Sequence, residues 1–286
     1  MANLKNIRTQ IKSVTSIQKV TKAMKMVAAA KLRKSQDNME KARPYSQRIK
    51  NLIGSLINDV NRDLLPLLRK PDTIETHGFV VITSDRGLAG SFNTNIIKRT
   101  EEEIMEIGKE NAFLLCVGKK GFEHFNKRDY NIINNYQDFW NNLNYSHAID
   151  IGKDITDAYI HNKINKVNII YNYFKNVGSQ KIKYDEILPL EFDNSQVEIK
   201  NDILYEPSKT QIVKTLVPKY FNTQIWQFLL ESFAGEQAAR MVAMENATEN
   251  AKDMISELNL QFNKARQSAI TTEMLEIVGG AEALAD

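Results

Sequence analysis

Apolar residues at the start of the chain recur in steps of three and four. They stand at Leu4, Ile7, Ile11, Val14, Ile17, Val20, Met24 and Val27, and the stripe resumes at Met39, Ala42, Ile49, Leu52, Leu56 and Val60. So narrow a stripe is the seam of a coiled coil rather than the broad face of a globular helix. It predicts one helix over residues 1–60, and at 1.5 Å per residue that helix would span roughly 90 Å. Pro44 interrupts the pattern by removing a backbone donor and predicts a kink about one turn upstream.

The far end mirrors this. From Ser208 onward the seam runs through Ala247, Ala251, Met254, Leu258, Phe262, Ala265 and Ala269. Gly279 and Gly280 then read as a helix stop. Bulkier residues nearby (Trp226, Phe228, Leu229 and Phe233) predict packing on the first helix or on the middle of the chain. Between the two seams the pattern changes to short β-branched and aromatic runs at 77–84, 112–118 and 166–174, with a further run at 180–190. Helical patterns at 91–109, 121–128 and 146–162 alternate with them. That alternation predicts a small, mostly parallel sheet of Rossmann-like type. The expected fold is therefore α/β: a long antiparallel two-helix coiled coil plus a central α/β domain. Its parts are a first helix (1–60), a linker (61–76), the α/β domain (77–190), a return loop (191–207) and a last helix with its tip (208–286).

Charge supports the pairing of the ends. The chain of 286 residues carries a net charge of only +3. Yet residues 1–50 hold thirteen Lys/Arg against Asp37 and Glu40, while residues 230–286 hold ten acids against four bases. Ends of opposite sign attract one another. At 42% apolar and 26% charged residues, the composition is that of a folded protein. The single cysteine, Cys116, excludes a disulfide framework and fits a reducing compartment. No apolar run has the length of a signal peptide or of a membrane span.

Few residues point to catalysis. SDRGLAGSFN (84–93) lies where a strand turns into a helix, the usual place of a phosphate-binding loop. It lacks the G-x-x-x-x-G-K-[ST] pattern, and its Gly87 and Gly90 are read first as turn glycines. His77, His124, His147 and His161 show no metal-ligand spacing, although His147 and Asp150 could share a helix face. Cys116 sits in a strand run as a buried, inert thiol. The basic first helix lacks interleaved aromatics, so an acidic protein partner fits it better than nucleic acid. No cofactor or metal is expected.

Three stretches carry a family resemblance. IQKVTKAMKMVAAAKLRKSQDNMEKARPYS (17–46) resembles the N-terminal signature of the gamma subunits of F-type ATP synthases. GEQAARMVAMENATENAKDMISELNLQFNKARQSAITTEMLEIVGGAEAL (235–284) resembles their C-terminal helix. TSDRGLAGSFN is similar to their central motif, which more often has Cys where this chain has Ala89. The resemblance spans the chain in order. It implies a rotating, non-catalytic central stalk that transmits torque between a membrane proteolipid ring and a catalytic alpha/beta hexamer. The implied partners are the hexamer, the small epsilon subunit and the c-ring, without insertion into the membrane.

It also implies contacts, residue by residue. Lys22 and Met24 fall in the lower contact with the catalytic subunits, and Arg240 faces the same hexamer. Arg266, Gln267, Thr271 and Glu273 match a polar cluster that meets catalytic-subunit loops higher up. In LYEPS (204–208), Tyr205 and Glu206 match contacts with the ring and epsilon. The chain lacks the cysteine-bearing insertion of chloroplast relatives and an evident presequence, so the implied place is the cytoplasmic face of a bacterial plasma membrane. The alternatives are a non-rotary coiled-coil scaffold with an α/β head and, more remotely, an enzyme holding a nucleotide on 84–93.

Overall fold

The computed structural model describes residues 2–61, 64–71, 73–192 and 205–283. Most of the expected return loop, residues 193–204, lies outside them, as do linker residues 62, 63 and 72 and the last residues of the tip. Five helices are described: α1 (Ala2–Leu56), α2 (Phe92–Ile107), α3 (Lys119–Asn126), α4 (Tyr145–Ile160) and α5 (Lys209–Ala283). Five strands accompany them: β1 (His77–Ile82), β2 (Ala112–Val117), β3 (Asn131–Tyr136), β4 (Lys166–Asn176) and β5 (Ser179–Leu188). By internal contacts the chain forms two compact units. One is made of residues 1–28 and 241–286, and the other of residues 29–240.

The sheet of the larger unit has strand order β3-β2-β1-β4-β5. All neighbours pair in parallel except β5, which returns antiparallel along β4. β3 has no counterpart in the sequence reading: NIINNY is too rich in asparagine to score as a strand, and it sits at the sheet edge with no buried residue. Central β1 and β2 are buried almost throughout. Phe79, Val81, Cys116 and Phe125 pack on one side with α2 and α3. Val80, Ile82, Ile151, Ile155, Phe221 and Leu229 pack on the other, with α1, α4 and α5. Each such side chain contributes about 1.5–3 kcal/mol on burial. The expected aromatic packing is present: Phe233 stacks on Trp140 at 5.7 Å, and Phe228 lies 4.8 Å from Tyr171.

One glycine fixes the approach of α3 to β1. Gly118 has φ 103, and a side-chain carbon there would collide with the Thr83 carbonyl. That closeness lets Thr83 Oγ1 accept the Gly121 N–H at 2.9 Å. Cys116 is fully buried beneath this junction, and burial pushes its thiol up to about 12.

α1 passes through Pro44 as one helix. Its sheltered positions alternate in steps of three and four without a break, from Leu4, Ile7, Ile11, Val14, Gln18, Thr21, Lys25 and Ala28 through to Ile49, Ile53 and Leu56. This corrects the seam read from hydrophobicity. Ile17, Val20 and Val27 are 52%, 55% and 55% exposed, and Leu52 yields its place to fully buried Ile53. The geometric repeat of 3.5 residues decides which positions face inward, and polar residues occupy some of them. α5 needs the same correction: Met254 is 51% exposed and Ile255 holds the sheltered position. The helix stop expected at Gly279 and Gly280 is also absent, since α5 continues to Ala283. Glycine costs about 1 kcal/mol in a helix interior and does not forbid one.

Glu231 of α5 carries a pH-dependent cost. Its Oε2 is buried without a hydrogen-bond partner, and burial pushes its pKa up to about 7 despite Lys183 and Arg43 nearby, with Asp185 adding to the rise. An acid raised in the folded state favours folding only while protonated. Stability therefore falls as pH rises from the ordinary value of 4.5 through about 7. Glu231→Gln should be more stable than the parent at pH 8 and nearly equal to it at pH 4, below the unfolded pKa, measured by urea unfolding. An advantage of the same size at both pH values would show that the carboxyl does not titrate this way.

Candidate functional site

The smaller unit pairs α1 with α5 in antiparallel fashion. Thr21 and Thr248 share a hydroxyl–hydroxyl hydrogen bond of 2.8 Å, and Lys25 donates to Glu245. The α5 seam here runs Met244, Thr248, Ala251, Ile255, Leu258, Phe262, Ala265 and Ala269, in strict alternation of four and three. At the level of Thr21 the seam is polar and open at the side. A cleft of about 410 Å³ lies there, lined by Gln18, Lys19, Lys22, Lys25 and Lys252 with Thr248, Glu245 and Glu249.

Lys22 is exposed on that cleft and Met24 is half-buried. Ile17, Val20, Met24 and Val27 follow one another in steps of three, four and three and form an apolar stripe beside the seam, of which Ile17, Val20 and Val27 are 52–55% exposed. Arg266 and Gln267 are both exposed, next to the half-buried Ala265. The Thr271 hydroxyl donates to the Gln267 carbonyl of its own helix at 3.0 Å. Glu273 is exposed, and so is every residue from 271 to 278, among them Met274, Leu275, Ile277 and Val278 at 61–67%.

The larger unit holds the other named positions. Tyr205 is half-buried against the core, with the Lys209 ammonium 5.2 Å above its ring, and Glu206 is exposed. Ser208 caps α5 by accepting the Gln211 N–H. Arg240, which the resemblance places toward the hexamer, is engaged within the chain. Rather than facing outward it is 9% exposed, paired with Glu236 one turn earlier, and it donates to the carbonyls of Arg86 and Gly87 at 3.3 and 3.2 Å. Residues four apart share a helix face, so a single face of α5 carries both charges to the loop after β1. Burial raises the Glu236 pKa while Arg240 opposes the rise. The signal was present in the sequence as Glu-x-x-x-Arg within the small-residue stretch AGEQAARM.

That loop is SDRGLAGSFN. Asp85 accepts from the backbone N–H groups of Lys119 and Asp138, and Ser84 and Asn93 bond to each other. Leu88 and Gly90 stand at φ 63 and 57. The loop turns carbonyls toward α5, whereas a phosphate cradle presents N–H groups. His147 serves α4 itself: its Nδ1 accepts from the Asn144 N–H in a capping box.

Comparison with known proteins agrees along the whole chain. The family model described as ATP synthase matches residues 3–284. The ATP synthase gamma chain of Prosthecochloris aestuarii is 48% identical, with 99% of each chain covered, and that of Chlorobium phaeobacteroides is 45% identical with the same coverage. Among solved structures, the central stalk of the Tetrahymena thermophila mitochondrial ATP synthase aligns with a TM-score of 0.62 at 26% identity, covering 80% of this chain and 99% of that one. A chain of the Euglena gracilis mitochondrial ATP synthase aligns at 0.69 and 21% identity, covering 99% and 95%, a likeness of fold.

The corrected seam can be tested by one pair of variants. Ile255→Ala should weaken thermal stability of the paired helices by about 1–3 kcal/mol, less than the roughly 2–5 kcal/mol of a fully buried isoleucine because Ile255 is half-buried. Met254→Ala should stay within about 0.5 kcal/mol, as surface changes do. The reverse order in circular-dichroism melts would restore the hydrophobicity-based seam.

Proposed function

The chain belongs to the ATP synthase gamma-chain family, and from that premise we propose how its parts serve the central stalk. It is a rotary central-stalk subunit of an F-type ATP synthase, and a non-rotary scaffold is not favoured. In the proposed arrangement, α1 and α5 of the smaller unit turn inside an alpha/beta hexamer. The polar residues at the start of α5, with the larger unit, meet the epsilon subunit and the proteolipid ring.

The observation that carries this reading is the uncovered apolar surface on an otherwise charged pair of helices. Ile17, Val20, Met24 and Val27 make a ridge, and residues 270–278 of α5 add Met274, Leu275 and Ile277 at the tip. Surface of this kind marks a binding partner. A ridge on one side of a rotating shaft meets each surrounding subunit in turn. It can therefore favour one conformation in one subunit at a time, which is the differential binding that a ligand must supply to shift an equilibrium. Lys22 beside the ridge would engage an acidic loop. Arg266 and Gln267 would hydrogen-bond higher up, with Glu273 and Thr271 on the same segment. Tyr205 and Glu206 are the proposed contacts with the ring and epsilon. Arg240 is left out of this set, since Glu236 and two carbonyls already hold it.

Catalysis is assigned to the partners. Support comes from the loop after β1, whose carbonyls face Arg240, and from a thiol made inert by burial. The place proposed is peripheral, at the cytoplasmic face of a bacterial plasma membrane. Support comes from the Prosthecochloris and Chlorobium relatives, and from the lack among the described residues of a helix long and apolar enough to cross a bilayer.

Two measurements test the assignment. In the purified complex, Arg266→Ala should leave assembly intact and lower the ratio of ion pumping to ATP hydrolysis by about threefold, equivalent to about 0.65 kcal/mol. Gln267→Ala should act in the same direction but less, having lost a neutral bond. Unchanged pumping and hydrolysis in Arg266→Ala would remove that contact. Separately, the isolated chain titrated with ATP should show no saturable micromolar binding. Saturable binding abolished by a change at Gly90 would return the nucleotide reading.

A further inference from the structure

In an open parallel sheet, ligands bind at the carboxyl ends of the strands where successive connections leave in opposite directions. Here that point lies between β1 and β4: the chain goes from β1 outward to β2 and β3, then crosses back to β4 on the other side of β1. The position is filled by the chain itself. Gly235 of α5 packs so closely on Asn172 of β4 that a side-chain carbon would lie 3.3–3.4 Å from its Cβ and carbonyl oxygen. Glu236 is 5% exposed beside it. The Arg240 guanidinium reaches the carbonyls of Arg86 and Gly87, in the loop that leaves β1.

We propose that Arg240 is a positioning residue: a built-in cationic ligand that closes the crevice of the α/β unit and pins the loop after β1 to α5. The chemistry fits each part. A guanidinium offers several N–H donors in a rigid plane and can span two successive carbonyls while also holding a carboxylate. Glu236 neutralises the buried charge, without which burial would be strongly unfavourable. The loop needs such an anchor. Its near side is held locally, since the Ser84 hydroxyl donates to the Arg86 carbonyl at 2.6 Å and Ala89 is buried, but Arg86, Gly87 and Leu88 (65% exposed, at positive φ) stand out at the tip, and Arg240 supplies the bonds that tie this tip to α5. Asp85 secures the other flank through the Lys119 and Asp138 amides. This assignment is independent of the partner contacts proposed above.

The Arg86–Gly87 peptide bond is a trypsin site whose carbonyl is the one that Arg240 holds, so cleavage there reports release of the loop. The full chain is digested with limiting trypsin, and cleavage is followed by mass spectrometry at Arg86–Gly87 and at the exposed control bond Arg128–Asp129. Arg240→Ala leaves Glu236 buried and unpaired, so the decisive variant is the neutral double change Glu236→Gln with Arg240→Met. Cleavage at Arg86 should rise about tenfold or more in the double variant, since two hydrogen bonds from a charged donor are lost. The control bond should not change. Glu236→Gln alone should stay near the parent, and Arg240→Lys should recover part of the protection. Equal acceleration at both bonds, or none at Arg86 in the double variant, would overturn the assignment.

Discussion

A 3.5-residue repeat constrains everything else in this chain. Two helices stay in contact over many turns only if the sheltered position returns to the same side, and on α1 it does so from Leu4 to Leu56. Because the repeat fixes geometry, chemistry along the seam is free to vary. It is apolar at Ile7 and Ile11, hydroxylated at Thr21 and Ser35, and charged at Lys25. Ser35 hydrogen-bonds to the Leu230 carbonyl at 3.0 Å, as Thr21 does to Thr248. Each polar layer contributes less burial than leucine would. In return it tolerates only the register in which its partner stands opposite, and a shaft whose helices could slip would transmit little.

The α/β unit solves a different problem with related means. Its sheet has a ligand-type crevice, and α5 closes it with a glycine, an acid and a base. Along the same helix, Phe228 and Phe233 reach aromatic partners, so α5 is held by packing at one level and by directed polar bonds at another. The two kinds of hold respond differently to stress. Dispersion contacts slide gradually, whereas a guanidinium on two carbonyls is made or broken.

Sequence reading recovered the long terminal helices, four of the five strands and the mostly parallel order. Those features depend on local periodicity, which a single chain displays openly. It failed where geometry outranks hydrophobicity. Ile17, Val20 and Met254 are apolar and exposed, while Gln18, Thr21 and Lys25 are polar and sheltered, and no hydropathy pattern can order them that way. It also missed β3, whose asparagines suit a sheet edge. Arg240 is likewise illegible from pattern alone, because Glu-x-x-x-Arg on a helix gives no sign of the loop carbonyls that its guanidinium meets. The family resemblance named the contact candidates well in advance of any geometry, but it could not show that one of them was already engaged within the chain.

The bare apolar ridge and tip also bear on how such a chain must live before it is assembled. Val20 and Val27 on α1, and Leu275 and Ile277 at the end of α5, are individually ordinary surface residues, yet each group leaves adhesive surface on its helix. Free copies would find one another through it, at a rate that grows with the square of their concentration. The economical cellular solution is stoichiometric: synthesis matched to that of the partners, with surplus copies removed rather than stored. The surface suited to turning inside a complex thereby sets how few molecules can wait outside one.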